Sequence, residues 1–185
     1  MISWNPRAMH FLMPQFQVRQ KKYASNAIVP FYAHNSILGG VKGAQTSSLT
    51  FMVGGSDETI LKEKVTPVLE TMGQRVIPSG GPGAGAAVKL CNNLALAAQM
   101  VGICEAMNLG EMLGVDPVVL ADIISTSTAK YWSCEVNNPH PLVAAQVGSP
   151  ASKDYQGGFG TKLMLKDLKL AVAAAKEANV ALPLG

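Results

Sequence analysis

The feature that most constrains this chain is a long apolar segment, residues 84–113, which follows directly on a cluster of glycines. Its apolar residues recur with a helical period on nearly every side, and Gly114 ends the pattern. A helix that is apolar all round is ordinarily buried. The segment therefore predicts one long, buried helix.

The residues before this helix follow a different pattern. Residues 48–53 are a short β-rich run, preceded by a loop at the glycines of residues 39–43. Asp57 can cap a helix that ends at Gly73, and residues 74–78 indicate a second strand. The order of strand, helix and strand is typical of the tail of an α/β sheet.

The residues after the long helix are mainly helical. Asp116 precedes a proline and predicts the start of a helix that continues to about Ile124. Residues 131–155 contain three prolines and predict a loop-rich stretch. The last clear helix is predicted from Thr161 to about Asn179.

Charge is distributed unevenly along the chain. Residues 1–56 hold five basic residues and no acidic residue, whereas residues 57–185 hold ten basic and all twelve acidic residues. The second part is therefore not a polyanion binder. The first part has three interpretations: a nucleic-acid-binding arm, although it lacks a dense basic cluster; a mitochondrial presequence; or sequence outside the fold.

The cysteines give no sign of a metal site. Cys91, Cys104 and Cys134 lack metal-ligand spacing, and the three histidines form no cluster. Two of the cysteines lie in the predicted buried helix, so we expect free core thiols in a reducing compartment. No uninterrupted apolar run reaches the roughly 18 residues that a membrane-spanning helix needs, so no membrane span is expected.

The glycine-rich turn at residues 81–85 resembles a dinucleotide-binding turn at first sight. That fingerprint requires Gly-x-Gly-x-x-Gly within a strand–helix–strand unit, followed by an acidic residue about 20 positions later. Ala86 takes the place of the last glycine, and no second strand follows the helix. A phosphate-binding role for this turn is therefore rejected.

Three polar residues share one face of the long helix. Lys89, Asn92 and Asn93 are spaced at i, i+3 and i+4. Lys89 could extend to the surface while the asparagines bond to loops. Alternatively, a lysine on a desolvated face could act as general acid or base, with Asn93 donating to a substrate. The spacing alone leaves both interpretations open.

A family resemblance favours the second interpretation. Residues 83–93 resemble the catalytic-helix motif of the β-hydroxyacid dehydrogenases. In that family the lysine is the general acid and base, and the asparagine four residues later binds substrate. The resemblance therefore implies that Lys89 is catalytic and that Asn93 binds substrate.

Three further segments carry the same resemblance. Residues 155–168 resemble a later family motif, which implies that Lys166 and Phe159 lie at the cofactor. Gly39 and Gly40 resemble the substrate-binding loop. Residues 132–141 resemble the mitochondrial-type 3-hydroxyisobutyrate dehydrogenases more than the glyoxylate or tartronate semialdehyde reductases.

The resemblance implies a fold class and a division of the chain. We expect an α/β remnant of a Rossmann-type nucleotide-binding domain, residues 38–79, followed by a mainly α-helical C-terminal domain, residues 80–185, truncated at its end. Residues 1–37 are unassigned and unlike the family. Leu38 stands where the family's substrate loop has a serine. The turn that binds the cofactor phosphates is missing.

The resemblance also implies a function. We expect NAD-dependent oxidation of 3-hydroxyisobutyrate to methylmalonate semialdehyde in valine catabolism, with NADP as the alternative cofactor. The expected location is mitochondrial, with the cytoplasm as the alternative. A homo-oligomer through the helical domain is expected, with no nucleic-acid or membrane partner. The chain alone is expected to be inactive, and a non-catalytic helical dimerisation module is the alternative function.

Overall fold

The structure, a computed structural model, describes residues 33–184. Its strands are β1 (Ala33–Leu38), β2 (Thr50–Gly55) and β3 (Arg75–Gly80). Its α-helices are α1 (Gly40–Gln45), α2 (Glu58–Ile60), α3 (Thr66–Glu70), α4 (Ala84–Met112), α5 (Pro117–Thr126), α6 (Trp132–Glu135), α7 (Pro141–Val147) and α8 (Thr161–Glu177).

The three strands form one mixed sheet in the order β1-β2-β3. β2 pairs antiparallel with β1 and parallel with β3. The side chains of the central strand are buried, and Phe51 and Val53 pack with Leu61 and Leu69 from the connection between β2 and β3. The expected α/β portion, followed by a mainly helical portion, is confirmed.

The connection between β2 and β3 begins as predicted and then departs from a regular α-helix. Asp57 caps its start, since its Oδ1 accepts a hydrogen bond of 3.0 Å from the Ile60 amide. A π-helical turn, Leu61–Val65, then separates α2 from α3. Pro67 has no amide to donate to the carbonyl four residues earlier, so a regular ladder of hydrogen bonds cannot run through this position.

The glycines after β1 form a helix, so the predicted loop at residues 39–43 is wrong. Gly39 has a φ of 124°, and α1 begins at the next residue. The Gly43 amide donates to the Gly39 carbonyl at 2.9 Å. A Cβ on Gly43 would lie 3.2 Å from Leu49 Cδ2, so the glycine serves close packing here and does not break the helix.

The helical portion is organised along α4. Its core cluster comprises Ile103 and Met107 from α4 with Ala121, Cys134 and Val143 from the following helices. The predicted helix after Gly114 is confirmed as α5, with Asp116 Oδ1 accepting from the amides of the two valines that follow Pro117. The predicted last helix is confirmed as α8.

The expectation that α4 is buried is wrong. Val101 is 58% exposed, Leu109 59% and Met112 78%. The sheet, α5, α6 and α8 pack against α4 but leave much of its apolar surface uncovered. Cys91 and Cys104 are consequently exposed, contrary to the prediction of core thiols. The buried residues of α4 are Gly85, Asn93, Ile103, Met107 and Gly110.

Within residues 33–184, α4 is the only helix that is long and apolar enough to cross a membrane, by length and composition alone. The core helix of a soluble protein passes the same test. Isolated polar residues such as Gln99 interrupt the apolar run without lowering its mean hydropathy far. The expected absence of a membrane span therefore stays a prediction.

Residues 131–155 contain more helix than predicted. They hold α6, α7 and a 3₁₀ turn at Pro150–Lys153. Pro141 is the first residue of α7, and Pro150 is the first residue of the 3₁₀ turn. Proline is favoured at the first position of a helix although it breaks a helix interior, and this explains the error.

A close backbone contact joins the sheet to α4 and can be tested. A Cβ on Gly54 would collide with the Gly81 carbonyl oxygen and lie 3.1 Å from the Ala84 amide. We expect Gly54→Ala to lower the free energy of unfolding by about 1–3 kcal/mol, because backbone atoms cannot move aside cheaply. Urea denaturation measures this loss.

The matched control is Gly81→Ala, since a Cβ on Gly81 would have no neighbour within 4 Å. Its effect should stay within about 0.5 kcal/mol, as for most surface substitutions. Equal effects of the two substitutions would contradict the assigned role of Gly54.

Candidate functional site

The first third of α4 presents the polar residues singled out in the sequence. Asn93 is 3% exposed, Lys89 one turn earlier is half-buried, and Asn92 is exposed. The predicted sharing of one helix face therefore holds for Lys89 and Asn93, while Asn92 points more towards solvent. A buried amide beside a half-buried ammonium needs polar partners, because unpaired polar groups are expensive to bury.

A buried carboxylate on α8 supplies those partners. Asn93 Nδ2 donates to Asp167 Oδ2 at 2.7 Å, and Lys166 Nζ lies 2.7 Å from Asp167 Oδ1. Asn92 Nδ2 donates to Asn93 Oδ1 at 3.2 Å. Asp167 is 4% exposed, and each of its two oxygens has a donor from another side chain of the protein. We call Lys89, Asn93, Lys166 and Asp167 the α4–α8 cluster.

The donors around Asp167 keep its carboxyl ionised. Burial alone would raise the pKa of this group, but the hydrogen bonds from Lys166 and Asn93 outweigh that effect, and the pKa lies below its ordinary value. The positive charges of Lys166 and Lys89 act in the same direction. The Lys89 ammonium therefore lies close enough to stabilise the Asp167 carboxylate.

Asp167 is the residue that the sequence analysis did not name as part of the site. On sequence alone, Lys166 and Asp167 resemble a solvated helix face. A signal was nevertheless present, because Met164, Asp167 and Ala171 follow one another at i, i+3 and i+7 on the inward side of an amphipathic helix. An acidic residue on the apolar face of a helix indicates a buried polar partner.

The predicted substrate loop lies between β1 and α1, and β1 packs against α4. Gly39 ends the turn between β1 and α1, and a Cβ there would meet Leu49 and Gly43. Its surroundings therefore belong to the sheet and α1. Among the described residues, no hydrogen bond or ion pair joins Gly39 to the α4–α8 cluster. The substrate-binding role of Gly39 and Gly40 stays a prediction.

The two predicted cofactor residues are both accessible. Phe159 precedes α8 and is 49% exposed, and the Lys166 side chain is 60% exposed despite its ion pair. An exposed aromatic ring and an exposed ammonium are suitable groups for contact with a nicotinamide ring and its carboxamide. The residues present fit that end of the cofactor, and their role stays a prediction.

The start of α4 does not fit the phosphates of the cofactor. A Cβ on Gly54 would lie 3.1 Å from the Ala84 amide nitrogen and 3.2 Å from that of Gly85. The backbone of β2 therefore covers the amides that a phosphate would need at a helix N-terminus. This agrees with the rejection of the turn at residues 81–85 as a phosphate site.

The structure suggests no metal chemistry in the part of the chain that it describes. Within residues 33–184, no group of three His, Cys, Asp or Glu side chains is placed to hold a metal ion. The polar chemistry available at the α4–α8 cluster is therefore that of two ammonium groups, an amide and a carboxylate. These groups can bind an anion, donate to an oxygen and exchange a proton.

Comparison with protein families assigns the chain. Residues 83–185 match a family model described as the NAD-binding domain of NADP-dependent 3-hydroxyisobutyrate dehydrogenase. That match covers more than half of the chain. The chain belongs to the 3-hydroxyisobutyrate dehydrogenase family. The cofactor of this family is NAD or NADP, and residues 15–81 match a second model, the NAD-binding domain of 6-phosphogluconate dehydrogenase.

Individual relatives agree with this assignment. The chain is 43% identical to the probable mitochondrial 3-hydroxyisobutyrate dehydrogenase of Arabidopsis thaliana, over 89% of this chain and 46% of that protein. It is 45% identical to an NAD-dependent L-serine dehydrogenase of Pseudomonas aeruginosa, over 80% of this chain and 49% of that protein. The chain therefore spans about half the length of these relatives.

A solved relative shares the fold. The structure of Mycobacterium tuberculosis 3-hydroxyisobutyrate dehydrogenase with L-serine matches with a TM-score of 0.75 and 42% identity. The match covers 82% of this chain and 51% of that chain. This similarity supports the order of a Rossmann-type portion followed by a helical portion.

The family likeness begins earlier than the sequence analysis placed it. The second family model starts at residue 15, upstream of Gly39, and ends at residue 81, close to the predicted boundary near residue 80. Residues 15–32 lie outside the described part of the chain. The proposed division at residues 37 and 79 stays a prediction.

The Asp167 contacts predict a specific dependence of stability on acid. Because the pKa of Asp167 is lowered in the folded state, its contribution is complete above the ordinary value of 3.8 and is lost as the pH falls through the lowered pKa. Asn93→Ala removes one donor and raises the folded-state pKa of Asp167, so the acid-dependent loss should be smaller and should be complete at a higher pH. At neutral pH the substitution should cost about 1–3 kcal/mol, as for a buried unpaired acceptor.

Urea denaturation at a series of acidic pH values measures both effects. Asn92→Ala is the control, because Asn92 is exposed and does not contact Asp167. Superimposable curves of stability against pH for wild type and Asn93→Ala would contradict the assigned contact.

Proposed function

We propose that the α4–α8 cluster is the substrate side of a hydroxyacid dehydrogenase that oxidises a 3-hydroxyacid with NAD or NADP. The observation that carries the proposal is the half-buried Lys89 beside the buried pair of Asn93 and Asp167. Membership of the 3-hydroxyisobutyrate dehydrogenase family supports the reaction class. The relatives are about twice as long as this chain, so the activity of the whole protein is part of the proposal.

In the proposed reaction Lys89 is the residue that accepts a proton. Oxidation of a secondary or primary alcohol removes a proton from the hydroxyl oxygen and a hydride from the carbon. The nicotinamide cofactor, when bound, supplies the hydride acceptor. In its neutral amine form Lys89 Nζ takes the hydroxyl proton and becomes an ammonium, and Asn93 orients the substrate by donating to one of its oxygens. Lys166 and Phe159 contact the nicotinamide end, and Gly39 and Gly40 contact the substrate carboxylate.

The specific substrate proposed is 3-hydroxyisobutyrate, which would give methylmalonate semialdehyde in valine catabolism. Relatives named as mitochondrial 3-hydroxyisobutyrate dehydrogenases support this choice and a mitochondrial location. A bacterial relative named as an L-serine dehydrogenase makes L-serine a second substrate to test, since it is also a 3-hydroxyacid. Glyoxylate or tartronate semialdehyde reduction is the remaining alternative.

Substitution of Lys89 tests the site directly. We expect calorimetry to show saturable binding of 3-hydroxyisobutyrate in the presence of NAD⁺. Lys89→Met keeps the length of the side chain but removes its charge and its hydrogen-bond donors. Binding should weaken by about ten- to hundredfold, because a charge-assisted hydrogen bond contributes about 1.5–3 kcal/mol.

The matched control is Lys153→Met, an exposed lysine in the 3₁₀ turn. It should bind the hydroxyacid like the wild type. Absence of hydroxyacid binding by the wild-type chain, or equal binding by both lysine variants, would overturn the proposed site.

Turnover is a separate question from substrate binding. We expect the purified chain alone to form no NADH from 3-hydroxyisobutyrate, because its 185-residue sequence has no Gly-x-Gly-x-x-Gly turn for the cofactor phosphates. NADH formation that Lys89→Met abolishes would refute this expectation and would establish the activity of the chain itself.

A helical association module is the second candidate function, and the exposed apolar surface of α4 favours it. Val101 and Met112 lie three turns apart on one side of this helix, and both are exposed. A second copy of the chain is the occupant we propose for this surface. Fluorescence titration that shows no saturable binding of NAD⁺ or NADP⁺ would favour this module over the dehydrogenase.

Charge placed on the exposed side of α4 tests the association. We expect sedimentation equilibrium to show an oligomer for the wild type and a monomer for the double variant Val101→Glu, Met112→Glu, because burying two carboxylates in an apolar contact is unfavourable. Val68→Glu, at a position 60% exposed on α3, should leave the oligomer intact. A wild-type monomer at all concentrations would contradict association through α4.

A further inference from the structure

The contact between Asn93 and Asp167 determines how the Asn93 amide is oriented. The carboxylate is ionised, as the lowered pKa of Asp167 indicates, so both of its oxygens are acceptors. The amide must therefore turn its NH₂ group towards Oδ2, at 2.7 Å. The opposite orientation would place the amide oxygen against a carboxylate oxygen, which is repulsive.

The remaining hydrogen-bonding capacity of Asn93 is small. Its Oδ1 already accepts from Asn92, and one of its two N–H groups is committed to Asp167. One N–H and one acceptor lone pair are left. Because Asn93 is 3% exposed, few positions are open to a bound group. A ligand that reaches Asn93 from the cluster can meet a fixed N–H donor.

Asp167 holds a second group of the site with its other oxygen. Its Oδ1 is 2.7 Å from Lys166 Nζ, although the Lys166 side chain is 60% exposed and would otherwise be mobile. A long exposed side chain loses rotamer freedom when it is held at one position. One carboxylate thus orients an amide on α4 and an ammonium on α8.

We propose that Asp167 is a positioning residue of the site, which turns Asn93 so that it presents an N–H donor to an oxygen of the hydroxyacid and which holds Lys166 beside it. The proposal rests on the function proposed above. The orientation also favours a ligand that offers an acceptor oxygen to the remaining N–H of Asn93.

The charged groups around Asp167 act in one direction. Lys89 on α4 and Lys166 on α8 are the charged groups that influence its carboxyl, and both favour the ionised form. Within residues 33–184, no acidic side chain raises the pKa of Asp167. The orientation of Asn93 is therefore maintained throughout the neutral pH range.

Asp167→Asn tests the orientation in the full chain at neutral pH. The substitution keeps the shape of the side chain, removes its charge and lets it act as a donor. In a nitrogen–proton correlation spectrum we expect one Asn93 side-chain proton to be shifted downfield and protected from exchange with water. Loss of that signal in Asn93→Ser assigns it. In Asp167→Asn the downfield shift and the protection should disappear.

Asp122→Asn is the matched control, because Asp122 is an exposed carboxylate on α5. It should keep the Asn93 signal unchanged. An Asn93 amide that shows no downfield shift in the wild type, or keeps it in Asp167→Asn, would overturn the orienting role of Asp167.

Substrate affinity separates positioning from a purely structural role. We expect Asp167→Asn to bind 3-hydroxyisobutyrate about tenfold more weakly than wild type in the presence of NAD⁺, as for loss of one well-placed hydrogen bond to a charged group. Asp122→Asn should bind normally. Unchanged affinity in a folded Asp167→Asn variant would overturn positioning even where the amide signal has changed.

The hydroxyacid-binding measurement and the Asn93 amide signal test different claims. A wild-type chain that binds no hydroxyacid refutes the proposed function, whereas the Asn93 amide signal still decides whether Asp167 orients that residue.

Discussion

The contact between the sheet and the first turn of α4 constrains the position of the helical part of the chain. Gly54 at the end of β2 lies against the first turn of α4, and Gly85 is buried there. A larger side chain at Gly54 would collide with the Gly81 carbonyl oxygen. Because α4 is one continuous helix, this contact also helps to set where Asn93, Ile103 and Met107 lie. The site and the helical core therefore lie along one helix, whose first turn packs against the sheet.

Short-range sequence patterns correctly predict the elements whose ends are determined by neighbouring residues. Asp57 and Asp116 are N-caps because their side chains accept from amides two or three residues later, and such short-range chemistry is visible in the chain itself. The start of α4 after a glycine turn is likewise predicted from neighbouring residues. The α/β order before it and the helical order after it follow from hydrophobic periodicity.

Most of the errors have a different physical origin, since they depend on contacts that the pattern of the segment itself does not contain. The helix at Gly40 is stabilised where Gly43 packs against Leu49, and an isolated pair of glycines gives no hint of that contact. The burial of α4 depends on how many neighbours cover it, which its own apolar pattern cannot reveal. Lys89 and Asn93 were found from spacing and resemblance. Asp167, 74 residues after Asn93, was not named.

The uncovered side of α4 has a consequence for how the protein responds to temperature and to dissolved salts. Release of water from apolar surface is driven by entropy near room temperature, so contacts made through this side should strengthen on warming and weaken in the cold. Sulfate, which is excluded from protein surfaces, should strengthen them further. The proposed association would thus depend on residues such as Val101 and Leu109, which lie two or more turns along α4 from Asn93.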